Sequence, residues 1–176
     1  MTLEQVCAGI QGADEEARQE CLKRWSTIAK PLGSLGMLEE NVVRIAALTG
    51  DAQYRIDKRA VAVLCADNGV VAQGVTQTDS SITALVAKNL TDVVPVDIGI
   101  NRDVEAPGLW HRKVAYGTKD LSLEPAMTRE QAVEAILIGV EVVRELKEQG
   151  YKIIATGEMG IGNTTTSSAV TASMLS

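Results

Sequence analysis

Apolar residues recur at helical spacing over the first 50 positions. From residue 58 onward they gather into short continuous runs separated by longer periodic stretches. Over 14–29, Ala17, Cys21, Leu22, Trp25 and Ile28 form one stripe, with Asp14, Glu15 and Glu16 in the first turn, which predicts a helix. Pro31, Gly33 and Gly36 interrupt it, so KPLGSLG reads as a turn or rigid extended segment. A second helix is predicted from Met37 to Leu48, with Leu38, Val42, Ile45 and Ala46 on one side and Gly50 as its terminator. Helices this short need a neighbour to bury their apolar faces.

A main domain is predicted to begin near Lys58. Ala60 to Ala66 is almost continuously apolar, as an interior parallel strand requires, and Asp67, Asn68 and Gly69 follow as a bend. A helix is predicted over 80–90, then a strand over 92–98 that ends at Asp97 and Gly99. Pro95 inside that strand implies an edge position or a local irregularity. Asn101 to Pro125 reads as a long polar connection, whose length favours a functional or interface loop. Thr128 and Gln131 have capping-box spacing for a helix running to Gln149, with Val133, Ile136, Leu137, Val140 and Val143 as its buried face and Gly150 at its end. Ile153 to Ala155 is predicted as a buried parallel strand. Gly157, Gly160 and Gly162 then open a bend, inside which Glu158 sits, and Asn163, Thr164 or Thr165 caps a last helix. The alternation of strand and helix predicts an α/β fold, an open parallel sheet of Rossmann-like βαβ units with right-handed crossovers and a small helical subdomain. The boundaries follow: subdomain elements over 1–50 and an incomplete α/β domain over 58–176.

Composition narrows the chemistry. With 45% apolar and 23% charged residues the 176-residue chain has the balance of an ordinary globular protein, and a net charge of −6 argues against nonspecific nucleic-acid binding. No apolar run approaches the ~20 residues of a membrane span, and the first residues lack a secretory pattern. Cys7, Cys21 and Cys65 have no metal-knuckle spacing, which points to a reducing cytoplasm and to no metal site; no cofactor is expected either.

The candidate chemistry concentrates beyond the strand ends, where Asp67, Asp97 and Glu158 all fall, on the edge where open α/β sheets bind ligands. The glycine bend presents backbone N–H groups and a helix start suited to phosphate. Its spacing is GxxGxG, neither the dinucleotide fingerprint nor a nucleotide-triphosphate loop. A purely structural turn also explains the glycines, although the small donors of Asn163 and Thr164 to Thr166 exceed what capping needs. Asp67 either orients a ligand hydroxyl or holds the loop 67–75 in place. The polar stretch from Gln73 to Ser81 either walls a pocket for a planar nitrogen heterocycle or is a loop followed by a helix cap. His111, Arg112 and Lys113 read as solvated surface.

Four stretches, KPLGSLGMLEENVVRIAALTG, VLCADNGVVAQGV, VVPVDIGI and TGEMGIGNTT, resemble in order the nicotinate-nucleotide:dimethylbenzimidazole phosphoribosyltransferase family. The resemblance implies transfer of phosphoribose from nicotinate mononucleotide to 5,6-dimethylbenzimidazole, giving α-ribazole 5′-phosphate and nicotinate for the cobalamin nucleotide loop. It implies a cytoplasmic homodimer without nucleic-acid or membrane partners. Glu158 corresponds to an active-site glutamate that assists near the reacting groups. Met159, Gly160 and Asn163 line the same region, and Thr164 is grouped with them as a substrate-binding residue. Thr78 falls where the family has a hydroxyl beside the benzimidazole, and Val86 where some members have glutamine against that ring. Asn68 stands where some relatives have histidine, and Ser34 lies in a segment, GSLG, that resembles the amino-terminal cleft. Asp67 completes the substrate-binding set.

The resemblance also implies absences. The family's principal catalytic glutamate, further phosphate-binding glycines and a lysine are expected downstream, and a segment is expected between Thr91 and Asp92. On that reading these 176 residues alone are inactive or very weak, prone to aggregate or in need of a partner, and a full-length parent is the enzyme. The alternative is a non-catalytic protein that binds a nucleotide or benzimidazole through the surviving half-site.

Overall fold

A computed structural model describes residues 1–88 and 93–175. The end of the helix expected over 80–90, the strand start at Asp92 and the break expected at Thr91 lie outside the described residues. The chain divides into two compact units, Met1–Asp57 and Lys58–Ser176.

The first unit holds α1 (Leu3–Ala8), α2 (Glu15–Thr27) and α3 (Met37–Thr49). Asp14 caps α2, its Oδ1 accepting the Ala17 N–H at 2.9 Å, and Gly50 ends α3 in the left-handed conformation at φ 66°. The core is made of small residues: Ala17 and Cys21 from α2, Val43, Ala46 and Ala47 from α3, and Ala52 beyond it. This face differs from the expected one, because Leu38 and Val42 are exposed while Val43 and Ala47 are buried. Close approach of two helices selects small side chains, so the bulkier stripe was the wrong guide. The segment 30–36 is a turn braced by Glu39. Its carboxylate takes Lys30 Nζ at 2.7 Å and the Leu35 N–H at 3.0 Å, and the Lys30 contact holds that carboxyl below its ordinary range.

The second unit is built on a fully parallel sheet of order β3-β2-β1-β4. Its elements are β1 (Arg59–Ala66), a 3₁₀ turn (Gly69–Gln73), α4 (Ser81–Lys88), β2 (Val94–Gly99), β3 (Trp110–His111), α5 (Arg129–Glu148), β4 (Ile153–Met159) and α6 (Asn163–Leu175). β1 divides two cores. Val63 and Cys65 pack with Ala84 and Ala87 of α4 and with Ile100, Val104 and Leu109. Ala60 and Ala62, on the opposite face, pack with Val96, Val142 and Leu146. Large side chains on one layer meet small ones on the other, on both faces.

The capping box of α5 is present as its spacing predicts. Thr128 Oγ1 accepts the Gln131 N–H at 3.2 Å, and Gln131 Oε1 accepts the Thr128 N–H at 2.9 Å. Its buried ridge is Val142 and Leu146 with Ile138 beside them; Ile136 and Val143, expected inside, are exposed. This helix carries apolar residues on two faces, and periodicity does not choose between them.

The strands bring further corrections. β2 is interior in the sheet, and Pro95 is accommodated by geometry. Asp97 C=O accepts the Arg112 N–H, so Asp97 faces β3. Pro95, two residues earlier, faces the same way, upstream of the point where β3 begins to pair at Val96. The register irregularity lies later, between Cys65 and Ala66. β3 itself was hidden inside the stretch read as a polar connection. β4 runs through Gly157 and Glu158, which pair with Val63 and Leu64, so the bend begins only at Gly160. β4 is parallel but largely exposed, because it is the last strand of the sheet.

Candidate functional site

The carboxyl ends of β1 and β4 meet at the glycine turn. Gly160 is buried so tightly against the end of β1 that a Cβ there would overlap the Ala66 carbonyl oxygen. Gly162 has φ 83°, and a Cβ on it would lie 2.8 Å from Val71 Cγ2. Asn68 bridges the two loops: its Nδ2 donates to the Ile161 C=O at 3.0 Å, and its Oδ1 accepts the Thr166 hydroxyl at 2.9 Å. From α4, the buried Thr83 accepts the Ile161 N–H at 3.2 Å.

Glu158 stands at the end of β4 with its side chain exposed, and the Asn163 carboxamide donates to its Oε1. The chemistry open to this carboxylate is proton acceptance and electrostatic support of a developing positive charge. Glu158, Thr164, Ser167, Ser168 and Thr171 line one open groove along α6. Five of the amides expected to hold phosphate are already committed. Ile161 N–H donates to Thr83, Asn163 to Gly160 C=O, Thr164 to Asn163 Oδ1, and Thr165 and Thr166 to Gly162 C=O. Of the groove hydroxyls, Thr171 Oγ1 donates to the Ser167 C=O at 2.9 Å and Thr164 Oγ1 lies 3.4 Å from Asn163 Oδ1, while Ser167 and Ser168 line the same groove.

Asp67 and Asp97 are both buried at the neighbouring strand ends. Asp67 Oδ2 accepts the Asn101 N–H at 2.8 Å, while its Oδ1 is buried without a hydrogen-bond partner among the described residues. Asp97 Oδ1 accepts the N–H groups of Gly99 and Ile100, and its Oδ2 lies 3.0 Å from Lys113 Nζ. Lys113 is therefore not solvated as expected, and Arg112 grips Glu145 through two contacts of 2.9 and 3.1 Å. Lys113 thus fastens the connection 101–125 to the end of β2, and Arg112 fastens it to α5.

Three comparisons bear on this geometry. A family model described as "Phosphoribosyltransferase" matches residues 10–176. The nicotinate-nucleotide–dimethylbenzimidazole phosphoribosyltransferase of Ruminiclostridium cellulolyticum is 41% identical over 97% of this chain and 53% of its own length; that of Clostridium tetani is 42% identical over 96% and 51%. The crystal structure of the corresponding enzyme of Thermus thermophilus superposes with TM-score 0.81 at 36% identity, covering 92% of this chain and 54% of that one. The chain belongs to the nicotinate-nucleotide–dimethylbenzimidazole phosphoribosyltransferase family. It spans about half the length of the curated relatives it matches.

Against that family, the structure gathers Asn68, Gly160, Asn163, Thr164 and Glu158 around one turn. Asn68 has both ends of its carboxamide engaged within the chain, so it braces the turn. Met159 packs against the core around Cys65 rather than into the groove. Thr78 is exposed in the loop before α4, its carbonyl accepting the Thr76 hydroxyl at 2.6 Å, and Val86 is half-buried on α4. Ser34 belongs to the amino-terminal unit, exposed in its turn. In the polar stretch, Asp79 accepts the Ser81 N–H at 2.7 Å, which favours the helix-cap reading there. Among the described residues no group of three or more His, Cys, Asp or Glu side chains is placed to hold a metal ion. No helix there is long and apolar enough to cross a membrane. Thr83 was missed by sequence reasoning, and Thr166, noted there among the small donors, turns its hydroxyl to Asn68. A threonine in an apolar helical run is the one signal Thr83 offers, and only the fold shows what it reaches.

Proposed function

We propose that these residues form part of an enzyme that transfers phosphoribose from nicotinate mononucleotide to 5,6-dimethylbenzimidazole, for assembly of the cobalamin nucleotide loop. A benzimidazole nitrogen attacks the anomeric carbon with inversion, forming the α-glycosidic C–N bond. The bond to the pyridinium nitrogen breaks, its electron pair leaves with neutral-ring nicotinate, and the other benzimidazole nitrogen gives up its proton to a carboxylate. Glu158 is the assisting carboxylate on this chain. The hydroxyls beside it meet the phosphoribosyl group, with Asp67 and Asn68 at the adjoining strand end. Thr78 and Val86 line the base side, Val86 making that wall apolar, and Ser34 belongs to the cleft segment of the helical subdomain. The principal base lies outside these residues. The enzyme works as a homodimer in the cytoplasm. The observation that carries the reading is the Asn163-oriented Glu158 at the strand edge of a chain belonging to this family.

The test joins the chain to the remaining half of the Ruminiclostridium cellulolyticum relative and follows nicotinate and α-ribazole 5′-phosphate by chromatography. The joined protein should form both in equal amounts and only with dimethylbenzimidazole present, the 176 residues alone should form almost none, and Glu158→Gln should slow the joined protein by about a hundredfold. Nicotinate release that ignores dimethylbenzimidazole would overturn the reading.

A further inference from the structure

Ile161 lies between two glycines, Gly160 and Gly162, whose backbones have the widest conformational choice. Its own peptide groups are held by two side chains from distant elements. The N–H goes to Thr83 Oγ1 of α4 at 3.2 Å, and the C=O takes Asn68 Nδ2 of the loop after β1 at 3.0 Å. Asn68 is in turn fixed through Oδ1 by Thr166 of α6. Thr83 is fully buried, on the side of the sheet that carries the Cys65 core. Two residues past Ile161, Asn163 N–H is bonded to Gly160 C=O, and the Asn163 side chain grips Glu158. The position of that carboxylate therefore passes through the orientation of the two peptide groups that flank the Ile161 Cα.

We propose that Thr83 and Asn68 are positioning residues, which clamp the two successive peptide groups of Ile161, one each, and thereby hold Asn163 against Glu158. The proposal rests on the reading that Glu158 assists the transfer. A fully buried threonine hydroxyl needs a reason, and a backbone N–H directed at it supplies one. Asn68 is the only carboxamide that the described hydrogen bonds place on the Ile161 carbonyl. A displaced carboxylate loses rate rather than ground-state affinity, because orientation acts in the transition state.

The experiment has two arms. Amide hydrogen exchange of Ile161 is measured by NMR in the chain itself, for the parent, Thr83→Val, Thr83→Ser and Asn68→Ala. Thr83→Val keeps the shape and loses the acceptor. Protection of Ile161 should fall by about tenfold in Thr83→Val and return in Thr83→Ser, while amides of α5 keep theirs. In the joined enzyme, Thr83→Val and Asn68→Ala should lower kcat by about tenfold with KM for both substrates within about twofold, and Thr83→Ser should restore kcat. Unchanged Ile161 exchange in Thr83→Val overturns the clamp whatever the activity. Lost protection with unaltered kcat overturns its positioning role and leaves the transferase reading standing. A joined parent that makes no α-ribazole 5′-phosphate removes that reading, and with it the positioning role, while the exchange arm still decides the clamp.

Discussion

Lys113 Nζ lies 3.0 Å from Asp97 Oδ2, and the carboxylate it meets is 1% exposed. The ammonium also donates to the carbonyls of Ile100 and Arg102, so this one side chain closes the connection between β2 and the segment leading to α5. Removing one partner of a buried pair strands the other. Lys113→Met should therefore destabilise by roughly 3 kcal/mol, and the double variant Asp97→Asn, Lys113→Met should recover part of that loss. Urea unfolding of the parent and these two variants checks both statements, and equal losses for the single and the double variant would contradict them.

The turn at Gly160 has no room for a side chain. Gly160→Ala should cost about 2 kcal/mol or more, because the added methyl overlaps the Ala66 backbone rather than a flexible side chain. Gly139, inside α5, has open space around it, so Gly139→Ala should instead stabilise by roughly 0.5–1 kcal/mol. Opposite shifts of the urea midpoint are the expected signature.

Burial raises the Cys65 thiol to about 11, with the nearby Asp97 charge adding to the effect. The folded protein keeps a proton that the unfolded thiol, with its ordinary value of 9.0, begins to lose sooner. This contribution to stability is complete below pH 9.0 and is lost as pH rises through about 11. Replacing Cys65 with Ala should flatten the decline in unfolding free energy over that window. At about pH 8 under native conditions a thiol reagent should modify Cys7, which is exposed, and spare Cys21 and Cys65, which are buried.

β4 presents an open outer edge with Ile153 and neighbouring residues exposed, a template for pairing with other chains. Ile153→Lys should reduce light scattering by the isolated chain on warming, with near-unchanged far-ultraviolet circular dichroism. Scattering that does not respond would place the aggregation surface elsewhere.

Local chemistry was readable from the sequence wherever a residue acts on its near neighbours. Asp14, Gly50 and the Thr128–Gln131 box mark helix ends by bonds that span three or four residues, and the run from Ala60 to Ala66 announces an interior strand. The motif around Glu158 and Asn163 was visible for the same reason. Contacts that depend on the fold were not. Trp110 and His111 form a strand only because Val96 and Asp97 offer partners, and a two-residue strand has no period to detect. Thr83 and Asn68 reach Ile161 across 78 and 93 positions. Lys113 looked solvated because nothing near it in the chain shows that Asp97 is buried beside it. The helix faces were misjudged for a further reason: α3 and α5 each carry more apolar residues than one face can bury, and the neighbour's shape makes the choice.

Alanines at 60 and 62 lie under Val142 and Leu146, and Val63 and Cys65 lie over Ala84 and Ala87. Sliding β1 by one position would crowd one layer and hollow the other at the same moment, a double penalty that leaves the chain a single way to thread its central strand. Where Asp67 and Asn68 emerge is thus decided upstream, by the volume of methyl groups that touch no ligand.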